Sequence, residues 1–235
     1  LRSDAVKTRT PECRKCVFLK SMLASRMAPA SIDAVCSSMR LLRVKKRRLL
    51  HREGDPATQL YTVRSGSVKL FKFDESGREH VTAVLESGDI FGFEAMFLEP
   101  YAGSAAALTP SELCVASAGD IASLLASAPR LTFELTRYLW GRMASTFERE
   151  IHVSGPGARA KVAGLLLYRL DRAEDGSRDV MHHLSLRELG ASLGLAPETV
   201  CRALSDLKAE GVIEPLPGGV RVLDAVALRL RARSG

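Results

Sequence analysis

Two sets of side chains in this 235-residue chain could do chemistry, one on base edges and one on a metal or an oxidant. The first is the run Glu198-Thr199-Val200-Cys201-Arg202. An arginine can grip O6 and N7 of guanine with two parallel hydrogen bonds, and a carboxylate can accept from the cytosine amino group. A thiol hydrogen-bonds weakly but packs well on a thymine methyl. Glu198 would repel phosphates, so its presence argues for reading bases rather than for general attraction to DNA. Arg187 and Lys208 suit phosphate contacts, which position without specifying. The second set is Cys13, Cys16, Cys36 and Cys114; Cys201 completes an odd count of five, which argues against a disulfide framework. Four thiolates suit an iron–sulfur cubane and equally a zinc ion. A reversible disulfide between the Cys13–Cys16 step and Cys114 is a further reading. So is an inert one, with Cys36 and Cys114 as small buried hydrophobes and the other two as free thiols. The five histidines show no ligand spacing, and the adjacent His182 and His183 cannot share a helix face.

The base-reading run needs a helix start held outward. Residues 184–213 supply one. Leu186, Leu189, Leu193, Val200, Leu204 and Leu207 are spaced to pack two short helices on each other and on a helix over 158–171. The first covers about 185–192, Gly194 turns the chain, and the second runs from Pro197, a favourable first-turn residue, to Glu210. Val212-Ile213-Glu214, a turn over 215–219 and Val220–Leu223 predict a β-hairpin wing. Tandem helices with a wing make a winged helix-turn-helix, whose second helix enters the major groove by its N-terminal end.

Upstream, the period is that of short strands over 41–118: Leu60–Val63, Ser67–Phe73 and Val81–Leu85, parted by glycine turns at Gly54, Gly66, Gly77 and Gly88. That spacing predicts a small β-barrel or roll. A polar, basic arm covers residues 1–20, and Pro29 and Ser31 open a short helix over about 30–39. The basic stretch Arg40–Arg48 reads as a solvated loop and strand edge. From Pro129 onward Leu131, Leu135, Leu139, Met143, Phe147 and Ile151 recur every fourth residue, a helical ridge that suits core packing in part and a two-fold dimer contact. Ser154-Gly155-Pro156-Gly157 marks a boundary. The expected fold is α+β: an arm (1–28), a β-roll (29–128), a dimerisation helix (129–153) and a winged helix-turn-helix (154–235).

Composition narrows the class of function. The net charge of +7 and pI near 9.4 favour nucleic acid or an acidic surface as partner. No apolar run is long enough to cross a bilayer, and no basic-then-apolar segment opens the chain, which together predict a cytosolic protein. There is no phosphate-binding Gly-Lys loop, no nucleophile–histidine constellation and no paired carboxylates in a glycine-rich site, so no enzyme is expected.

In order and in motif the chain resembles the Crp/Fnr family of regulators over nearly its whole length. Glu198-Thr199-Val200-Cys201-Arg202 is similar to the family's E-T-V-S-R signature, with cysteine for serine. The resemblance implies that Glu198, Cys201 and Arg202 face bases, that the protein is a homodimer on double-stranded DNA, and that RNA polymerase is a partner. Pro197 stands where cyclic-AMP-responsive members carry a second base-reading arginine, which points to an Fnr-like inverted repeat of TTGAT half-sites. Nucleotide-binding members need an Arg-Ser pair for the cyclic phosphate; here the pair is Gly103-Ser104, and a buried phosphate without its arginine would be uncompensated. Gly92-Phe93-Glu94-Ala95 is similar instead to the G-F-D-A stretch of oxygen-sensing Fnr proteins. In those proteins arm cysteines and one β-roll cysteine hold an iron–sulfur cluster. Cys13, Cys16 and Cys114 match such positions. The third arm cysteine is missing over Lys20–Ala24, leaving Cys36 as the spare thiol.

Overall fold

The computed structural model describes residues 37–127, 129–173, 177–180 and 184–233. Cys13, Cys16 and Cys36, most of the helix expected over 30–39, and His182 and His183 lie outside the described residues. The chain divides into two compact units: one takes residues up to Lys72 and Thr82–Trp140, the other Phe73–Val81 and residues from Gly141 onward.

The first unit is built on β1 (Arg40–Val44), β2 (Leu49–His51), β3 (Gln59–Ser65), β4 (Val68–Phe73), β5 (Glu79–Leu85), β6 (Ile90–Phe91), β7 (Ser104–Ala107) and β8 (Ser111–Ser117). They form two four-stranded sheets, ordered β1-β8-β3-β6 and β2-β7-β4-β5. Alternation along β8 shows why: Leu113 and Val115 are buried while Glu112 and Cys114 between them are only half-buried. Val63, Val68, Leu85, Leu113 and Val115 make the core of the roll. The β3–β4 turn admits only glycine. Gly66 has φ +83°, and a Cβ there would lie 2.4 Å from Ser111 Oγ and 2.6 Å from the Pro110 carbonyl oxygen. Helix α1 (Ala118–Ser127) and the first half of α2 (Pro129–Val153) cover one end: Leu131 and Leu135 join Ile121, Leu124, Leu60 and Ile90 in a second cluster. The Ile90 N–H donates to Tyr138 Oη at 2.8 Å.

The second unit holds the rest of α2 with α3 (Gly157–Asp171), β9 (Asp179–Val180), α4 (Leu186–Leu193), α5 (Pro197–Ala209), β10 (Ile213–Leu216), β11 (Gly219–Val222) and α6 (Ala225–Arg233). Val162, Leu166, Leu189, Leu193, Val200, Leu207, Ile213, Val222 and Leu228 share one core, closed by the three-stranded sheet β10-β11-β9. Leu186 departs from its expected place. It opens α4 at the rim of this core and is 42% exposed. The close of α2 is clamped within the unit: Arg149 donates to the Ser192 carbonyl at 2.8 Å, at the negative C-terminal end of α4. A Cβ on Gly164 of α3 would run into the His152 carbonyl, so glycine lets the two helices meet backbone to backbone.

Candidate nucleic-acid interface

Local chemistry sets the ends of the helix pair. Ser185 and Glu188 form a reciprocal capping box: Ser185 Oγ accepts from the Glu188 N–H and Glu188 Oε2 accepts from the Ser185 N–H at 2.9 Å. Gly194 ends α4 with φ +66°. Gly190 does a second job the sequence did not advertise. A Cβ there would sit 2.5 Å from the Leu195 carbonyl oxygen, so its absence lets the turn lie flat on α4. Pro197 then starts α5, pre-set for the helical φ.

At 100° per residue, α5 has two faces. Val200, Ala203 and Leu207 point into the core. Glu198, Cys201, Arg202 and Ser205 lie together on the opposite, exposed face, with Thr199 half-buried at its flank. Lys208 is exposed two turns beyond Cys201, and Arg187 is exposed in the first turn of α4. Ser205 was missed by the sequence reading, although its spacing of three and four from Arg202 and Cys201 marks the same stripe; its hydroxyl donates to the Cys201 carbonyl at 2.9 Å. Glu198 and Arg202 make no ion pair with another described residue. Arg221 of the wing differs: it is held by Asp179 through two hydrogen bonds of 2.6 and 3.0 Å, so its charge is spent within the sheet.

The apolar ridge on α2 divides. Leu131 and Leu135 are buried, whereas Leu139, Met143, Phe147 and Ile151 are exposed, Ile151 by 73%. A four-residue repeat drifts about 40° per step on a 3.6-residue helix, so a row that begins in the core ends on the far side. The exposed apolar face is Phe133, Trp140, Met143, Phe147 and Ile151, and Phe133, Trp140 and Phe147 recur every seventh residue.

Cys114 sits on β8 between Leu41 of β1 and Thr62 of β3, on the side of the strand away from Leu113 and Val115. Among the described residues no group of three or more His, Cys, Asp or Glu is placed to hold a metal ion. The loop between β6 and β7 is closed by its own side chains. A 3-10 turn (Phe93–Met96) follows Gly92, and Glu94 Oε1 accepts from the Ala102 N–H at 3.0 Å. Tyr101 Oη donates to the Gln59 carbonyl and accepts from the Gln59 N–H, while its ring stacks on His51 with centroids 3.7 Å apart. Tyr61 stacks on Phe91 beside them. Burial holds the His51 imidazole below its usual pKa, against a smaller opposing pull from Glu94. It pushes the Tyr61 phenol above its usual range.

Residues 41–128 match the model of the cyclic nucleotide-binding domain, and residues 160–231 that of the Crp-like helix-turn-helix domain. The cyclic AMP receptor protein of Thermus thermophilus is 31% identical over 209 residues, 88% of this chain and 95% of that one. The chain belongs to the Crp/Fnr family of transcription regulators. Its relatives split by signal, as their names show. The anaerobic regulatory protein of Pasteurella multocida is 27% identical over 189 residues, covering 79% of this chain and 69% of its own. The structure of FixK2 from Bradyrhizobium japonicum superposes with a TM-score of 0.74 at 22% identity, over 84% of this chain and 98% of that one, which confirms the α+β fold expected for a Crp/Fnr protein. Crp/Fnr proteins are DNA-binding regulators rather than enzymes, as the absence of a catalytic constellation predicted.

Proposed function

We infer that this chain regulates transcription as a homodimer on an inverted repeat of TTGAT-like half-sites, in response to oxygen or redox state. The observation that carries the DNA reading is the exposed face of α5, where Glu198, Cys201, Arg202 and Ser205 stand together. Arg202 takes the guanine, Glu198 the cytosine amino group and Cys201 the thymine methyl, while Arg187 and Lys208 meet phosphates. The dimer forms along Phe133, Trp140, Met143, Phe147 and Ile151, with Leu139 at the margin; Leu131 and Leu135 are already spent in the core. RNA polymerase is the partner through which the bound dimer acts.

The signal is argued from the β6–β7 loop. A cyclic AMP receptor among the relatives favours nucleotide as an alternative. Against it stand Gly103 where a phosphate would need a cation, and the Tyr101–His51 stack filling the interior beside that loop. Redox sensing is supported by the relative named as an anaerobic regulator and by Cys114, which is half-buried on the side of β8 away from Leu113 and Val115. Cys13, Cys16 and Cys36 with Cys114 would hold an iron–sulfur cluster, which would supply the reactivity with oxygen. Protein purified without air should contain iron and sulfide, bind the repeat, and lose both on exposure to air; Cys114→Ser should lose the iron from the start. Iron-free anaerobic protein with undiminished DNA binding would remove the redox reading and leave another small ligand, or constitutive activity, in its place.

A further inference from the structure

From Gly141 to its end, α2 lies in the second unit and carries two faces. Met143, Phe147 and Ile151 are exposed on one of them. At 100° per residue, Ser145, Arg149, His152 and Val153 fall on the opposite one, and each is engaged within the unit. The Ser145 carbonyl accepts from Tyr168 Oη at 3.3 Å, the His152 carbonyl closes on Gly164, and Val153 packs on the core. Of the four, Arg149 is the one that hydrogen-bonds α4, its Nη2 donating to the Ser192 carbonyl at 2.8 Å. That carbonyl is one of the last four of α4, which the helix itself leaves without a donor. Two residues on, Gly194 turns the chain towards α5. The Arg149 side chain is only 20% exposed, and burial pulls its pKa below the usual arginine value against an opposing pull from Glu150, 3.7 Å away. Desolvating a guanidinium is costly, and its charge-assisted bond to the negative end of α4 offsets that cost.

We propose that Arg149 is a positioning residue for DNA binding: it locks the α4–α5 pair to the helix whose other face meets a second copy of the chain, and so fixes the half-site spacing that the dimer accepts. Arg149 acts through Ser192 rather than on DNA itself. The planar guanidinium gives the bond a direction that a lysine ammonium, a point charge on a flexible stem, would not. Direction matters because spacing is a fine scale. One base pair added between half-sites moves them apart by about 3.4 Å and rotates one against the other by about 34°. A small freedom of α4 against α2 is therefore enough for the two reading helices to follow a neighbouring spacing. The proposal rests on the α5 and dimer readings but not on which bases α5 reads.

The test uses the full chain as wild type, Arg149→Leu and Arg149→Lys. Affinity is titrated by anisotropy on the inverted repeat at the spacing wild type prefers, on repeats one base pair shorter and longer, on a duplex with a single half-site, and on a scramble. Wild type should lose about tenfold for each base pair of misspacing, the scale of a mismatched position in a site. Arg149→Leu should bind the preferred repeat about tenfold more weakly and separate the three spacings by no more than about twofold. Its affinity for the single half-site should stay within about twofold of wild type, which shows that the reading unit is folded. Arg149→Lys should recover part of the discrimination, since the charge remains while the fork is lost. Dimerisation measured by sedimentation should be the same in all three proteins. Full spacing discrimination in Arg149→Leu would overturn the proposal. So would an equal loss on the repeats and on the single half-site, which marks general damage to the unit. If wild type does not prefer the repeat to the scramble, the α5 reading fails; if it sediments as a monomer, the dimer reading fails; the proposal falls with either.

Discussion

The α5 helix and the β6–β7 loop dispose of their polar side chains in opposite ways. On α5, Glu198, Cys201 and Arg202 stand outward with their hydrogen-bonding capacity uncommitted to other described residues. Around the loop the side chains turn inward: Tyr101 and Glu94 are bound to backbone groups, and the ring of His51 on β2 is stacked on Tyr101. A face whose chemistry is held out contributes little to the fold and is free to meet a partner. A face whose chemistry is turned in contributes to the fold and has little left to give a ligand. The contrast separates the face proposed to read DNA from the loop proposed not to take a nucleotide.

Substitutions should therefore sort cleanly by unit. Tyr101→Ala, on the inward side, removes a buried ring and both hydrogen bonds to Gln59; it should destabilise the roll by about 3–5 kcal/mol in denaturant melts, without changing which DNA sequence is preferred. Arg149→Leu breaks the clamp on the end of α4 and should cost about 2 kcal/mol, a charged hydrogen bond to a helix end being worth that much. Its effect should appear in hydrogen exchange of residues 186–209 and leave the roll protected as before.

His51 sharpens the comparison through pH. Its folded pKa is lowered by burial, so the unfolded chain binds the proton first as pH falls. Stability should be full above the unfolded value near 6.5, and should decline as pH drops below it towards the lower folded value. His51→Phe should flatten that part of the profile of melting temperature against pH; an unchanged profile would mean that the buried imidazole does not titrate with folding. The smallest effect on stability belongs to the outward face: Arg202→Ala should shift the unfolding free energy by no more than about 0.5 kcal/mol.

Much of this was legible in the sequence because it is written in local periods. The leucine spacing of residues 189–207, the glycine at 194 and the proline at 197 mark the helix pair by its packing period, its turn and its second helix start. The strands of the roll were legible from alternation. What escaped depended on contacts far apart in the chain. Gly190 matters because of where Leu195 lies, and the Tyr101–His51 stack joins residues fifty positions apart. The ridge on α2 was read as one surface because a four-residue repeat resembles a helix row over short stretches. Only the burial of Leu131 and Leu135 against exposed Phe133, Trp140 and Phe147 separates its core side from its open side. The metal set stays where the sequence left it, since only Cys114 of the four thiols lies among the described residues.

The most direct test of the account is an anisotropy titration of wild type and Arg202→Ala on the inverted TTGAT repeat and on a scrambled duplex at one fixed salt concentration. Two lost guanine contacts at about 1–3 kcal/mol each predict that the variant binds the repeat at least about thirtyfold more weakly, with its affinity for the scramble nearly unchanged and its melting temperature that of wild type. Equal affinity of the two proteins for the repeat would contradict the assignment of the α5 face as the surface that reads DNA.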